Sequence, residues 1–321
     1  MRPDGAADGR GRHLLAQPGD TAMQLHETQI VDTFAEAFAM WGTRVLITAE
    51  TADWAMAAAQ SMTGFATSII GCKCEAGIET VLPPAETPDH RPGVSVLLFS
   101  MNAEGVGKRL VERVGQCVMT CPSTACYNGL TADQYTSVGG QLRYFGDKYQ
   151  IAKVLAGRRL WRVPVMDGEF LVDDRFGIQP AVGGGNILIL GRDQGATLRA
   201  AEAAVGAMRG TRGAILPFPG GVVRSGSKPK SRYKFLFAST NDAYCPTLRP
   251  VSAETQVGQA VGCVLEIVID GLDLAAVETA MRRGIHAAAE AGALQIAAGN
   301  YGGGLGQFRI DLHPLLATAA A

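Results

Sequence analysis

Residues 44–62 read RVLITAETADWAMAAAQSM, and this stretch decides the fold class. Its first part, residues 44–48, is a β-branched run that predicts a strand. Its second part, residues 51–62, consists of good helix formers and begins with Thr51, which can cap a helix. Gly64 follows as a helix terminator. The stretch therefore predicts a strand that is joined to a helix by a short loop.

The rest of the first half continues this pattern. Residues 67–70 predict a second strand, residues 93–99 a third, residues 104–114 a helix and residues 116–120 a fourth strand. The resulting order is βαββαβ, which is that of the ferredoxin-like unit. In such a unit the helices cover one face of the sheet and leave the other face open.

The second half repeats the same order. It predicts strands at 186–190, 214–217, 262–269 and 293–297, and helices at 196–208 and 272–291. We therefore predict an α+β protein of two ferredoxin-like lobes, residues 23–165 and 166–321, with a boundary near Val165. An exposed apolar sheet face is a liability, so we expect the lobes to cover each other or to pack in an oligomer.

The composition limits the function classes. The chain has 321 residues, of which 47% are hydrophobic, so the whole chain cannot be disordered. Lys and Arg total 29 against 30 Asp and Glu, a net charge of -1, which gives no basic footprint for nucleic acid or an anionic membrane. No apolar run is long enough to predict a transmembrane helix. Residues 1–22 are polar and Gly-rich and lack a signal-peptide core, so we predict a disordered extension.

The cysteines indicate a reducing compartment. The count of 7 is odd, and the spacing contains no CxxC pair and no histidine at zinc spacing. We therefore expect reduced thiols in a cytoplasmic protein and no metal site. Nor is there a GxSxG elbow, which argues against a serine hydrolase. Gly183 to Gly185 precede a strand instead of following one, so they predict an entry turn and no dinucleotide fingerprint.

Glu266 is the most informative single residue. It lies in the run 263–269, which is otherwise apolar, and strand alternation places it on one face with Val264 and Val268. If that face is buried, desolvation raises the pKa of Glu266, and a neutral carboxylic acid can donate a proton to a leaving group. If the face is open, Glu266 is an ordinary solvated side chain.

Three segments supply candidate binding residues, and each has a plain structural alternative as a turn or a solvated loop. One is the glycine-rich loop after the second strand of the second half, and another is the glycine-rich loop after the last strand. The third is a long link, residues 222–261, between the second and third strands, and ordered links of this length usually carry function. The candidates in these segments are Phe218, Gly220, Gly221, Arg224, Lys228, Asn241, Asp242, Tyr244, Cys245, Asn300, Tyr301 and Gly302.

Several segments together resemble one known family. They are Thr33 to Phe38 (TFAEAF), residues 44–49 (RVLITA), 75–78 (EAGI), 86–89 (ETPD) with 91–93 (RPG), 115–120 (GQCVMT), 168–170 (GEF), 217–221 (PFPGG), 238–247 (ASTNDAYCPT), and 298–300 (AGN) with 305–307 (LGQ). In this order they resemble the formylmethanofuran:tetrahydromethanopterin formyltransferases, over residues 23–315. The segments ASTNDAYCPT and PFPGG are long and specific.

The resemblance implies a set of expectations about activity and assembly. It implies two ferredoxin-like lobes, a homo-oligomer that is typically a tetramer, and no metal or bound cofactor. The implied reaction moves a formyl group between the amine of methanofuran and N5 of tetrahydromethanopterin, which act as co-substrates. The family's proposed acid lies in an EIVI(N/D)GL stretch, which here is residues 266–272, so the resemblance implies this role for Glu266.

The resemblance also implies roles for the candidate binding residues. Backbone N–H groups of Gly220, Gly221 and residues 302–304 are candidates for an oxyanion hole. The rings of Phe218, Tyr244 and Tyr301 are candidates for a flat pterin slot. Arg224 and Lys228 are candidates for the carboxylates of the furan carrier, with a solvated loop as the alternative.

Two departures from the family pattern indicate its bacterial branch. The net charge is near zero, whereas members from methanogens are often strongly acidic, and position 304 is Gly where a Lys is expected. In that branch the formyl group moves to the furan carrier, and sister subunits of a formyltransferase/hydrolase complex release formate. The alternative class is a non-catalytic scaffold subunit of such a hydrolase complex.

Overall fold

The computed structural model describes residues 23–155 and 157–317, so the predicted extension at residues 1–22 lies outside the described residues. The longer helices and short helical turns are α1 Ala52–Thr63, α2 Ile69–Cys72, α3 Ala103–Arg113, α4 Gly139–Leu142, α5 Gln194–Met208, α6 Leu274–Glu290 and α7 Leu312–Ala317. The strands are β1 Met23–Leu25, β2 Thr28–Ile30, β3 Phe34–Thr48, β4 Glu75–Leu82, β5 Gly93–Ser100, β6 Ala125–Asn128, β7 Gln134–Ser137, β8 Ile151–Leu155, β9 Arg158–Val165, β10 Gly168–Asp173, β11 Arg175–Gly191, β12 Ala214–Ile215, β13 Ser227–Pro229, β14 Ala238–Thr240, β15 Cys263–Gly271, β16 Gln295–Ala297 and β17 Phe308–Asp311.

The longer helices begin where a polar side chain caps them. The side chains of Thr51, Asn102, Asp193 and Asp273 accept hydrogen bonds from backbone N–H groups in the first turns of α1, α3, α5 and α6. These contacts satisfy donors that have no partner inside the helix. The predicted helices at 51–62, 104–114, 196–208 and 272–291 are thereby confirmed within a few residues.

The two halves have the same strand order. In the first half β3 pairs with β5 and β6, and β5 pairs with β4, all antiparallel. In the second half β11 pairs with β15 and β16, and β15 pairs with β12, again antiparallel. Residues 179–183 of β11 also pair with residues 38–42 of β3, so both halves belong to one large mixed sheet.

Two predicted strands of the first half are wrong. At residues 67–70 the Ser68 side chain accepts a hydrogen bond from the Ile70 N–H and begins α2, and the second strand is β4 instead. At residues 116–120 the chain continues α3 as a π-helical turn, Val114–Val118, and the fourth strand is β6. The hydroxyl of Thr120 donates to the Gln116 carbonyl at 2.7 Å, a contact with the residue four positions earlier that requires helical and not extended backbone.

The glycine run at 183–185 is not an entry turn. It lies inside β11, where the register with β15 shifts between Val182 and Gly185 as at a β-bulge. Gly184 has φ +78, and a Cβ built on it stands 3.1 Å from the Phe38 ring. Glycine is therefore required there by backbone conformation, and the long strand bends at this point.

The apolar faces of the first-half sheet are covered inside the chain. Strand β5 is buried on both faces. Val94, Val96 and Leu98 pack in the cluster beneath α1 and α3. Leu97 and Phe99 pack instead with the second-half residues Ala181, Ile215 and Leu272. Of the two expected solutions for an open face, mutual covering of the halves is the one observed here.

Polar contacts also fasten the halves together. Glu79 of β4 accepts hydrogen bonds from Arg44 and, at 2.7 Å, from the Gly213 N–H of the second half. The carboxyl of Glu75 lies beside that of Asp270, which is fully buried and whose Oδ2 accepts no hydrogen bond from the described residues. Burial raises the pKa of both Glu75 and Asp270, and the neighbouring carboxyl raises that of Asp270 further. We infer that this pair shares a proton, because two buried carboxylates in contact cannot both ionise at ordinary pH.

Candidate active site

Glu266 lies in the middle of a row of residues that crosses the second-half sheet. Leu188 of β11 stands opposite Glu266 on one side and opposite Ala297 on the other. Val223 pairs with Glu266 from the opposite edge, with backbone hydrogen bonds of 2.7 and 2.9 Å. We call this the acid row: Ala297, Leu188, Glu266 and Val223. Because the glycine-rich loops adjoin Val223 and Ala297, the acid row places one of them on each side of Glu266.

The surroundings of Glu266 support the buried alternative. The insertion at 222–261 lies over this face of the sheet, where Val257 and Val261 pack on Leu188 and Leu190, and Tyr244 contacts the same cluster. Burial raises the pKa of Glu266 to about 7. A carboxyl group with this pKa is substantially protonated at neutral pH and can act as a general acid.

Tyr301 reaches toward Glu266 from the loop at 299–306, which we call the glycine loop. This loop follows β16, and Ala297 is separated from Glu266 by two strand spacings, about 10 Å. Burial raises the pKa of Tyr301, and the negative charges of Glu266 and Glu36 raise it further. The Tyr301 ring also lies 6.5 Å from that of Phe38, between ring centroids. Tyr301 is therefore an aromatic group in the electrostatic range of the acid.

Two of the five expected backbone donors are engaged within their own loops. The Gly302 N–H donates to the Asn300 side chain at 3.2 Å. The Gly303 N–H is close enough to the Glu36 carboxylate to help lower its pKa. The Gly221 N–H donates to the Phe218 carbonyl at 2.8 Å. Within residues 23–155 and 157–317, the N–H groups of Gly220, Asn300 and Gly304 have no hydrogen-bond partner. Of the glycines expected to supply donors in the loop at 299–306, Gly304 is therefore one whose N–H could face an oxyanion.

Phe218, Gly220 and Gly221 lie in a different environment from Glu266. They line a cavity of 660 Å³ between the two halves, together with residues of α1, β4 and α5. Glu266 does not line this cavity. Gly220 and Gly221 have positive φ values of 66° and 87°, so the turn requires glycine at both positions.

The candidates of the insertion are largely occupied in holding the insertion together. Lys228 forms an ion pair with Asp242, which lowers the pKa of that carboxyl. The Asn241 carbonyl accepts from the Tyr244 N–H at 3.0 Å and from the Cys245 thiol at 3.3 Å. Arg224 is exposed. Of the two cations named for substrate carboxylates, Arg224 is thus the one without an acidic partner among the described residues.

Two residues that the sequence did not single out organise the glycine loop. Glu36 of β3 is 1% exposed, and Asn186 of β11 is 5% exposed. The Asn186 side chain accepts from the Gly299 N–H at 2.6 Å and donates to the Gly299 carbonyl at 3.1 Å. The signal for Glu36 was present, because it is an acid inside the apolar run of residues 34–40, as Glu266 is in its own strand.

The described residues contain no group of three or more His, Cys, Asp or Glu side chains that could hold a metal ion. All seven cysteines are free thiols. No helix in the described part of the chain is both long enough and apolar enough to cross a membrane.

Comparison with known families gives two adjacent matches. Residues 23–165 match the model for formylmethanofuran-tetrahydromethanopterin formyltransferase, and residues 168–315 match the model for the proximal lobe of the same family. The first match ends at Val165 and the second begins at Gly168, which face each other across the β9–β10 hairpin.

Individual relatives are similar in sequence to this chain along nearly their whole length. The formyltransferase of Methylococcus capsulatus is 54% identical over 299 residues, covering 92% of this chain and 100% of the relative. A subunit of the formyltransferase/hydrolase complex of Methylorubrum extorquens is 52% identical and covers 92% of this chain and 98% of the relative.

Two solved structures have the same fold. The complex from Methylorubrum extorquens, solved with methylofuran, superposes with a TM-score of 0.90 at 51% identity and covers 92% of this chain and 99% of the other. The formyltransferase of Methanosarcina barkeri superposes with a TM-score of 0.88 at 45% identity and covers 91% of this chain and 100% of the other.

Proposed function

The chain belongs to the formylmethanofuran–tetrahydromethanopterin formyltransferase family and is an acyltransferase that moves a formyl group between tetrahydromethanopterin and a methanofuran-type carrier, and we propose that Glu266 is the general acid of this transfer. The observation that supports this assignment is the position of Glu266 in the acid row, half-buried and with its pKa raised to about 7 by burial. The family is one of transferases, so the scaffold alternative has no support here.

In the direction toward the furan carrier, the formyl group passes from N5 of the pterin to the amine of the carrier. The neutral amine of the carrier attacks the formyl carbon on N5 of the pterin and forms a tetrahedral intermediate. The C–N5 bond then breaks, and N5 takes the proton of Glu266. The attacking nitrogen gives up a proton that restores the neutral carboxyl of Glu266. No proton is gained or lost by the protein over the cycle.

The oxyanion of the intermediate needs donors, and we propose that the Gly304 N–H is one of them. A well-placed donor of this kind contributes about 3–4 kcal/mol to catalysis. This proposal rests on the absence of a partner for that N–H within the described residues, whereas the N–H groups of Gly221 and Gly302 are engaged. The Gly220 N–H also has no partner among the described residues, but Gly220 lines the cavity that Glu266 does not reach.

For substrate binding we propose Tyr244 and Tyr301 as the flat groups beside the reacting centre, with Phe218, Gly220 and Gly221 in the adjoining cavity between the halves. Arg224 is proposed for the carboxylates of the furan carrier. Lys228, Asn241, Asp242, Cys245, Asn300 and Gly302 shape the loops that carry these groups. Each half is proposed to be one ferredoxin-like lobe, an interpretation supported by their identical strand order.

We propose further that this chain forms a homo-oligomer and docks to sister subunits of a formyltransferase/hydrolase complex in the cytoplasm. This is supported by the 52% identity with one subunit of such a complex and by the large exposed side chains Phe65, Met166 and Phe237.

The decisive experiment is a spectrophotometric formyl-transfer assay with both carriers, comparing the wild type with Glu266→Gln. We expect turnover to fall about 100-fold or more, with the oligomer intact, since the amide keeps the shape and cannot donate the proton. Near-wild-type turnover of the variant would contradict the assignment.

A further inference from the structure

The glycine loop contains few side chains that could hold it in one conformation. Five of its eight residues, at positions 299–306, are glycine, and Gly302 and Gly303 have φ values of 79° and 76°. Glycine has the largest backbone freedom to lose on folding, so such a loop is ordered only if other parts of the molecule hold it. Its residues 302–305 are exposed, and the one large apolar side chain among them, Leu305, is still 48% exposed.

A single buried carboxylate holds the loop from beneath. One oxygen of Glu36 accepts hydrogen bonds from the N–H groups of Leu305 and Gly306 at 3.1 and 3.2 Å. The other oxygen accepts from the Tyr301 N–H. Burial by itself would raise the pKa of Glu36, but these hydrogen bonds outweigh it and hold the pKa below its ordinary value. Glu36 is therefore an anion at neutral pH, and charge-assisted hydrogen bonds of this kind are about twice as strong as neutral ones.

The two oxygens of the Glu36 carboxylate hold different parts of the loop. The Oε1 contacts fix the return of the loop into β17, and the Oε2 contact fixes the backbone from which the Tyr301 ring projects. That ring lies within the electrostatic range of Glu266. The loop also carries Gly304, whose N–H has no acceptor among the described residues. The position of both groups relative to the acid row thus depends on Glu36.

We propose that Glu36 is a positioning residue for formyl transfer: it does not touch substrate, but its ionised carboxylate sets the Tyr301 backbone and the Gly304 N–H of the glycine loop against Glu266. The inference rests on the proposed role of Glu266 and extends it to the far strand of the sheet. Displacement of a reacting group by about 1 Å can cost a factor of about 100 in rate, so a loosened loop has a measurable effect.

The test uses Glu36→Gln, which keeps the volume and removes the charge. Its amide places a donor against at least one loop N–H, because a carboxamide has a single acceptor oxygen. Glu36→Asp is the second variant, which keeps the charge but is one methylene shorter, so its carboxylate lies further from the loop N–H groups. Asp311→Asn is the matched control, since Asp311 lies on β17 opposite Phe34 and pairs only with Arg309 among the described residues.

Three measurements on the purified full chain separate positioning from a merely structural role. Hydrogen exchange should accelerate in the peptide covering residues 299–307 of both Glu36 variants, while β3 and β11 stay protected. The kcat/KM of Glu36→Gln should fall about 10- to 100-fold with a smaller fall for Glu36→Asp. The falling limb of the pH profile should move to lower pH, because a loosened Tyr301 admits water to Glu266.

A double-variant cycle completes the experiment. If Glu36 acts through the loop, adding Glu36→Gln to Tyr301→Ala, which removes the ring, should cost less than the product of the separate losses. Faster loop exchange with unchanged kinetics and pH profile would overturn the inference, as would an unchanged loop. Failure of the Glu266 assignment would be seen separately, as full activity of Glu266→Gln, whichever result the Glu36 variants give.

Discussion

The pH dependence of the reaction follows from the position of Glu266. Its pKa is raised by burial from 4.5 to about 7, so about half of the enzyme carries the neutral acid at pH 7. An ordinary glutamic acid would be protonated in only about 0.3% of the molecules at that pH. The fold thus increases the population of the competent acid by more than about 100-fold.

The direction of the pH effect follows from the proposed role of Glu266 as a general acid. A general acid must be protonated, so kcat/KM in the direction toward the furan carrier should fall as pH rises through about 7. Between pH 7 and pH 9 the protonated fraction drops from about one half to about 1%, a loss of about 50-fold in rate. The carrier amine must be neutral to attack, which gives a rising limb at lower pH and a bell-shaped profile.

The assay is the spectrophotometric transfer of formyl from formyl-tetrahydromethanopterin to the furan carrier, measured at several pH values. Glu266→Gln should show a rate lower by about 100-fold or more and should lose the falling limb. Glu254→Gln is the control, because Glu254 is an exposed acid of the same insertion and should keep the wild-type profile. A falling limb near pH 7 that persists in Glu266→Gln would refute the reasoning.

Three further predictions concern stability and assembly. Because burial raises the pKa values of Glu75 and Asp270, the stability that this pair contributes is complete below the ordinary carboxyl pKa of about 4 and is lost as pH rises toward the folded-state values. Glu75→Gln, whose amide can donate to Asp270 without a shared proton, should therefore show a shallower fall of Tm toward alkaline pH than the wild type, and an equally steep fall would contradict the shared proton. Phe99→Ala should lower the free energy of unfolding by about 3–5 kcal/mol in urea titrations, because Phe99 is fully buried between the halves, and Tyr149→Ala, at 78% exposure, is its control. Light scattering of the pure chain should show a homo-oligomer, most often a tetramer, at low and high salt alike, since a net charge of -1 gives little like-charge repulsion to screen; an active monomer in both conditions would overturn this.

What the sequence by itself determined is the part of the structure that depends on local chemistry. The repeated βαββαβ order follows from apolar periodicity, and the helix starts follow from the capping side chains at Thr51, Asn102, Asp193 and Asp273. Glu266 could be singled out from the sequence because it is a single charged residue in an otherwise apolar strand. The family resemblance came from long segments that keep their order along the chain.

Other features were decided only by tertiary structure, because they depend on residues far apart in the chain. Residues 67–70 and 116–120 have strand-like composition, yet the pairing of β4 with β5 and of β6 with β3 placed the strands elsewhere. The acid row exists because register aligns four segments that are separated by dozens of residues. Glu36 contacts the glycine loop about 265 positions away, and Glu75 meets Asp270 across the boundary of the halves. The pKa values of these carboxyls depend on such contacts and on burial, neither of which a local pattern contains.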